Sequence, residues 1–216
     1  MSHSIVIQQP VFPQHLILLF HGVGATPRSL LPLGQWLAES MTQSMIVSVA
    51  APYAFHLGHG FQWFSIQGVT EDNRLSRIQH AMPAFVNCVR NWQSNAKLGA
   101  ENTSIIGFSQ GAIMALSSTQ LEPQPLAHHI ISLAGRFAEQ PLVKPANTSV
   151  HFLHGSADQV ITLNHSQQGE AWLKALGVTT SLEVFEGLEH NVSQEMVEAV
   201  TKILERSIAP NESISA

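Results

Sequence analysis

The chain has 216 residues, 44% of them hydrophobic and only 12% charged, a balance that suits a sizeable core and excludes intrinsic disorder. Ten Lys and Arg against fifteen Asp and Glu give a net charge of −5, which leaves no basic stripe for nucleic acid. The lone cysteine, Cys88, excludes an internal disulfide framework and suits a reducing compartment, so a cytoplasmic location is expected.

At the start of the chain, Ile5-Val6-Ile7 is interrupted by Gln8-Gln9-Pro10 and lacks a basic leader, so no signal peptide is expected. The run Leu16 to Phe20 is strand length and too short to cross a bilayer, so no stable membrane insertion is expected. Strands are predicted over 5–7, 16–20, 45–49, 104–108, 130–133, 149–153 and 181–185. Several are apolar throughout, as strands covered on both faces should be. Helices are predicted over 27–39, 71–95, 110–120, 165–176 and 193–206.

Helix starts carry their own signals. Thr26-Pro27 places a capping hydroxyl before a first-turn proline, and Thr70 precedes Glu71 and Asp72, whose charges suit a helix dipole. Ile78, Met82, Phe85, Val86, Val89 and Trp92 form a helical stripe, with Pro83 expected to kink it and Cys88 read as a packing residue beside it. Alternating strands and helices predict a mostly parallel sheet of about seven strands flanked by helices, with residues 1–216 forming a single domain.

In such a sheet, reactive groups gather where loops leave the carboxyl ends of strands. Gly107-Phe108-Ser109-Gln110-Gly111 stands at a strand-to-helix junction, the setting in which a sharp turn lifts a serine hydroxyl out for attack. A Cβ at either glycine would crowd the neighbouring strand or helix. Serine needs a base, and the base needs an orienting acid. In the order nucleophile, acid, histidine, the only aspartate after Ser109 is Asp158, just past a strand. His165 and His190 follow it. His165 falls in the opening turn of a helix facing away from the strand ends, whereas His190 lies in the loop right after the last strand. Ser109, Asp158 and His190 are therefore the candidate catalytic residues. Backbone amides of Gln110 and of Val23, in the loop His21-Gly22-Val23-Gly24, are the candidate oxyanion donors, with His21 a structural hydrogen-bonder.

The set His21-Gly22-Val23-Gly24, Trp63-Phe64, Gly107 to Gly111, His154-Gly155-Ser156-Ala157-Asp158 and His190 resembles the phospholipase/carboxylesterase family of small α/β-hydrolases. That family includes acyl-protein thioesterases, lysophospholipases and bacterial serine esterases, and the segment Phe61 to Arg74 is similar to its bacterial esterase branch. The resemblance implies an α/β-hydrolase fold and hydrolysis of small-molecule esters or thioesters through an acyl-serine, without metal or organic cofactor. It also implies that Trp63 and Phe64 line the substrate pocket. One departure is Glu189, where many relatives carry a small residue directly before the histidine. Only one loop separates Ala134 from Ser149, so no cap domain is expected, and an open site should favour short acyl esters.

The rivals are a thioesterase or lysophospholipase, and a binding protein that kept the fold without its chemistry. A dienelactone-type hydrolase would want cysteine where Ser109 stands. Twelve histidines include no His-Glu-x-x-His spacing, and His128-His129 face opposite ways in an extended segment, so no metal site is expected. No glycine-rich loop ends in Lys-Ser or Lys-Thr. The low charge content permits a homodimer without locating its surface.

Overall fold

The computed structural model describes residues 3–208. Its seven-stranded sheet comprises β1 (Ile5–Gln8), β2 (His15–Phe20), β3 (Ser44–Val49), β6 (Thr103–Phe108), β7 (His129–Leu133), β8 (Ser149–Gly155) and β9 (Thr180–Phe185), ordered β1-β3-β2-β6-β7-β8-β9. Only β1 runs antiparallel to its neighbour. Every residue of β2, β3 and β7 is buried; β2 is apolar after His15, while buried Ser44, Ser48, His129 and Ser132 stand among the apolar residues of β3 and β7. At the sheet edge, β9 buries far less.

Alternation along β2 divides the core. Leu16, Leu18 and Phe20 pack with α2 (Glu71–Ala96), α3 (Gln110–Leu121) and α4 (Leu163–Ala175). Ile17 and Leu19 face α1 (Leu31–Ser40) and α5 (Gln194–Ile208) on the opposite side. The predicted stripe on α2 is the buried face of that helix, with Val86 half-buried. Pro83 sits on its solvent side, within a helix that continues through it. Half-buried Cys88 packs beside the core, and burial pushes its thiol up to about 11, in keeping with a packing residue.

Of the two start signals, one behaves differently from expectation and the other holds. The segment 27–39 opens with a 3-10 turn over Pro27–Leu30 before α1 begins, and the Thr26 hydroxyl caps nothing. Its carbonyl accepts the Ser29 amide and hydroxyl instead. At α2, the Asn73 side chain reaches back to the Thr70 amide at 2.9 Å, completing a reciprocal cap. A short antiparallel ribbon of β4 (Tyr53–Ala54) and β5 (Phe61–Gln62) stands outside the predicted elements.

Strand order reverses between β2 and β6, the neighbours on either side of the chain's turnaround. Loops leaving their carboxyl ends diverge there and open a crevice. Ser109 follows β6, and the His21–Thr26 loop follows β2.

Candidate active site

Ser109 sits at φ 52°, ψ −115°, between β6 and α3, in the strained turn that exposes a side chain at a strand end. Both flanking glycines are required by what surrounds them. A Cβ on Gly107 would lie 2.5 Å from the Ala112 nitrogen, and one on Gly111 would strike the Phe20 carbonyl of β2. The turn is tied to the sheet by the Ser109 amide, which donates to the Leu133 carbonyl at 3.0 Å.

The carboxyl ends of β8 and β9 bring Asp158 and His190 to this serine. Their two loops are laced together: Ser156 N–H donates to Phe185 O, Ala157 N–H to Leu188 O, and Gly187 N–H to Ser156 Oγ. A Cβ on Gly155 would run into the Leu188 carbonyl, so only glycine permits this approach. His190 Nδ1 lies 2.7 Å from Asp158 Oδ2, and His190 Nε2 lies 3.0 Å from Ser109 Oγ. The His190 ring rests beside Phe108, centroids 5.0 Å apart.

Asp158 is buried, and burial alone would push its carboxyl up. The His190 N–H and the Ile161 and Val160 amides outweigh that and hold it below the usual carboxylate range. An ionised carboxylate only accepts, so His190 Nδ1 carries a proton, and the neutral ring presents its Nε2 lone pair to the serine hydroxyl. The arrangement can therefore remove a proton from Ser109 and return it elsewhere.

The β2 loop passes so near that a Cβ on Gly22 would stand 3.2 Å from Ser109 Cβ. Its shape is fixed from several sides. Gly24 N–H donates to Phe61 O, Phe61 N–H to Ala25 O, and Ala25 N–H to Gly22 O. Val23 is the intervening residue of this turn. Buried His21 accepts the Ala51 amide at Nε2 (3.2 Å), so its proton is on Nδ1, which donates to Gly22 O (2.8 Å). Burial lowers its pKa, and its bonds make it the structural residue expected from the sequence. Gln110 opens α3, where a first-turn amide has no partner within the helix.

Trp63 and Phe64 are both buried, and Trp63 is a core residue in contact with Phe20 and Phe85. Both also line a cavity of about 660 Å³ with Tyr53, Gln62, Arg77 and His80. Trp63 Nε1 and Gln62 Oε1 on that wall have no hydrogen-bond partner among the described residues. What the sequence did not reveal is how this segment is held. Gln110 Oε1 accepts the Trp63 amide, and Gln110 Nε2 donates to the Phe64 carbonyl, both at 2.8 Å.

His165 lies in α4 and bonds neither Ser109 nor Asp158; the charges that act on it are Arg136, Glu71, Arg74 and His154. The Glu189 side chain faces solvent. Among the described residues, no group of three or more His, Cys, Asp or Glu is placed to hold a metal ion.

The pattern that defines the family described as Phospholipase/Carboxylesterase matches residues 1–208. Esterase YpfH of Escherichia coli K12 is 40% identical over 200 residues, covering 92% of this chain and 86% of the relative. Acyl-protein thioesterase 1 homolog 1 of Dictyostelium discoideum is 24% identical over 72% of this chain and 73% of its own length. Among solved structures, esterase PE8 superposes with a TM-score of 0.83 at 27% identity, covering 90% of this chain and 93% of that one.

Proposed function

Because the chain belongs to the phospholipase/carboxylesterase family of α/β-hydrolases, we propose that it is a serine carboxylesterase in which Ser109, His190 and Asp158 act together. The observation that carries this reading is the unbroken contact from Ser109 Oγ through His190 to Asp158, at 3.0 and 2.7 Å. His190 Nε2 takes the hydroxyl proton as Ser109 attacks the ester carbonyl. Asp158 holds the ring orientation and stabilises its charged form. The Val23 and Gln110 amides receive the oxyanion. The alcohol leaves with the proton from His190, and water activated by the same ring then releases the acid from the acyl-serine.

Short acyl esters fit best, since the stretch between β7 and β8 carries no helix or strand that could cap the site. Trp63 and Phe64, tied to Gln110 next to Ser109, would form the wall against the acyl or alcohol group, although the cavity they line includes none of Ser109, His190 and Asp158. A second reading, thioester hydrolysis, is favoured by the likeness to the Dictyostelium thioesterase homologue. Nitrophenyl esters and acyl thioesters of increasing chain length separate the two. The ester reading expects the highest kcat/KM on short esters; a maximum on long-chain thioesters would overturn it. A cytoplasmic location, resting on the single cysteine, belongs to the same reading, and nucleic acid has no part in it.

A further inference from the structure

Asp158 touches a second imidazole that the hydrolytic reading leaves unused. His154, next to last in β8, is fully buried. Its Nε2 lies 2.6 Å from the Ile161 carbonyl and 3.3 Å from Asp158 Oδ2, while its Nδ1 lies 2.7 Å from Ser166 Oγ. A carbonyl oxygen only accepts, so Nε2 carries a proton in every state of this ring. Burial disfavours a second proton, against the opposing pull of the Ile161 carbonyl and Asp158. In the neutral ring, Nδ1 then accepts the Ser166 hydroxyl, and the tautomer is fixed from both ends.

Residue Ile161 is held through both of its backbone groups, which belong to adjacent peptides. Its carbonyl takes the His154 proton, and its amide donates to Asp158 Oδ1 at 3.0 Å. The same Nε2–H also turns its positive end toward Oδ2, the oxygen that holds His190. We propose that His154 is a positioning residue: it fixes Asp158 through the backbone of Ile161 and, by facing Oδ2, sets how strongly that oxygen holds His190. The proposal rests on the Ser109, His190 and Asp158 reading. The titratable groups facing His154 are Asp158 and His190, together with His165 on α4.

His154→Phe keeps the ring volume and removes both nitrogens. The expected result is a fall in kcat on the order of tenfold at little-changed KM, the scale on which loss of an outer partner is felt. With the Nε2–H dipole removed from Oδ2, the charged form of His190 is held more tightly, so the acid limb of kcat/KM moves to higher pH. His154→Gln, with an amide able to reach Ile161 O, should bring the limb back. A folded His154→Phe with its limb at the wild-type pH would overturn the proposal. If that variant does not fold, nitrogen NMR of the wild-type protein decides. Protonated Nε2 with bare Nδ1 is expected, and the opposite tautomer would sink the idea. Fluorophosphonate labelling of the wild-type enzyme reports on the triad alone, so an unlabelled Ser109 would indict that reading instead.

Discussion

Arg136, in the loop after β7, grips Glu71, the first residue of α2, through two guanidinium nitrogens at 3.1 and 2.7 Å. Arg74 joins from the next turn at 2.9 Å. The sequence assigned Glu71 to its own helix dipole, but its main partner lies 65 residues away. The Arg136 bond, followed by Arg74, holds the Glu71 carboxyl below its ordinary range.

Glu71 is largely exposed, so Glu71→Gln should cost no more than about 1 kcal/mol of stability. A depressed folded pKa makes this contribution present above the unfolded value and lost as pH falls through the folded one. Denaturation midpoints of wild type and Glu71→Gln should therefore differ at pH 7 and converge well below pH 4.5. A gap that persists in acid would show that the pair is not its source.

Gln110→Ala should damage both fold and activity, because it strands the Trp63 amide and Phe64 carbonyl in a buried setting. Each unsatisfied backbone group costs about 1–3 kcal/mol. Denaturant titration checks the stability loss, and kcat/KM on a short ester should fall as the Trp63-Phe64 wall loosens. Wild-type stability would mean that water replaces the amide without penalty.

Acid should destabilise the protein through histidines at the amino ends of the strands. His15 bonds Ser104 Oγ at 3.0 Å, and His129 Nδ1 bonds Ser149 Oγ at 2.6 Å, with no partner for its Nε2 among the described residues. Burial, reinforced by neighbouring His128, lowers His15 to about 4 and His129 to about 3; His151 and His15 add to the effect on His129. Below pH 6.5 the unfolded chain binds protons that the folded one refuses, so stability falls with pH. Each such histidine contributes at most about 1.4 kcal/mol per pH unit, until its folded pKa is reached. Urea midpoints should drop steeply between pH 6.5 and 4.5, and His129→Gln should flatten that slope. A level profile would contradict this account.

The large elements were legible because burial writes itself into composition. Strands covered on both faces are mostly apolar, and α2 shows its buried stripe in Ile78, Phe85 and Trp92. The candidate triad followed from chain order and the scarcity of aspartate after Ser109. The ribbon of β4 and β5 escaped because two-residue strands have no period to read, and Tyr53 and Ala54 are exposed. The clamp by Gln110 and the contact of His154 with Asp158 escaped for another reason. Each depends on which atom of a polar side chain meets which distant backbone group, and no local pattern records that.

The central claim is that His190 and Asp158 activate the Ser109 hydroxyl, and fluorophosphonate labelling with mass-spectrometric mapping tests it most directly. The account predicts a single adduct on Ser109 in the wild-type protein, none in His190→Ala, and a loss of ester turnover on the order of 10⁴–10⁶-fold in folded Ser109→Ala. A well-folded wild-type protein that takes up no label, or a Ser109→Ala variant that still turns over esters, would contradict it and favour a hydrolase fold kept for binding.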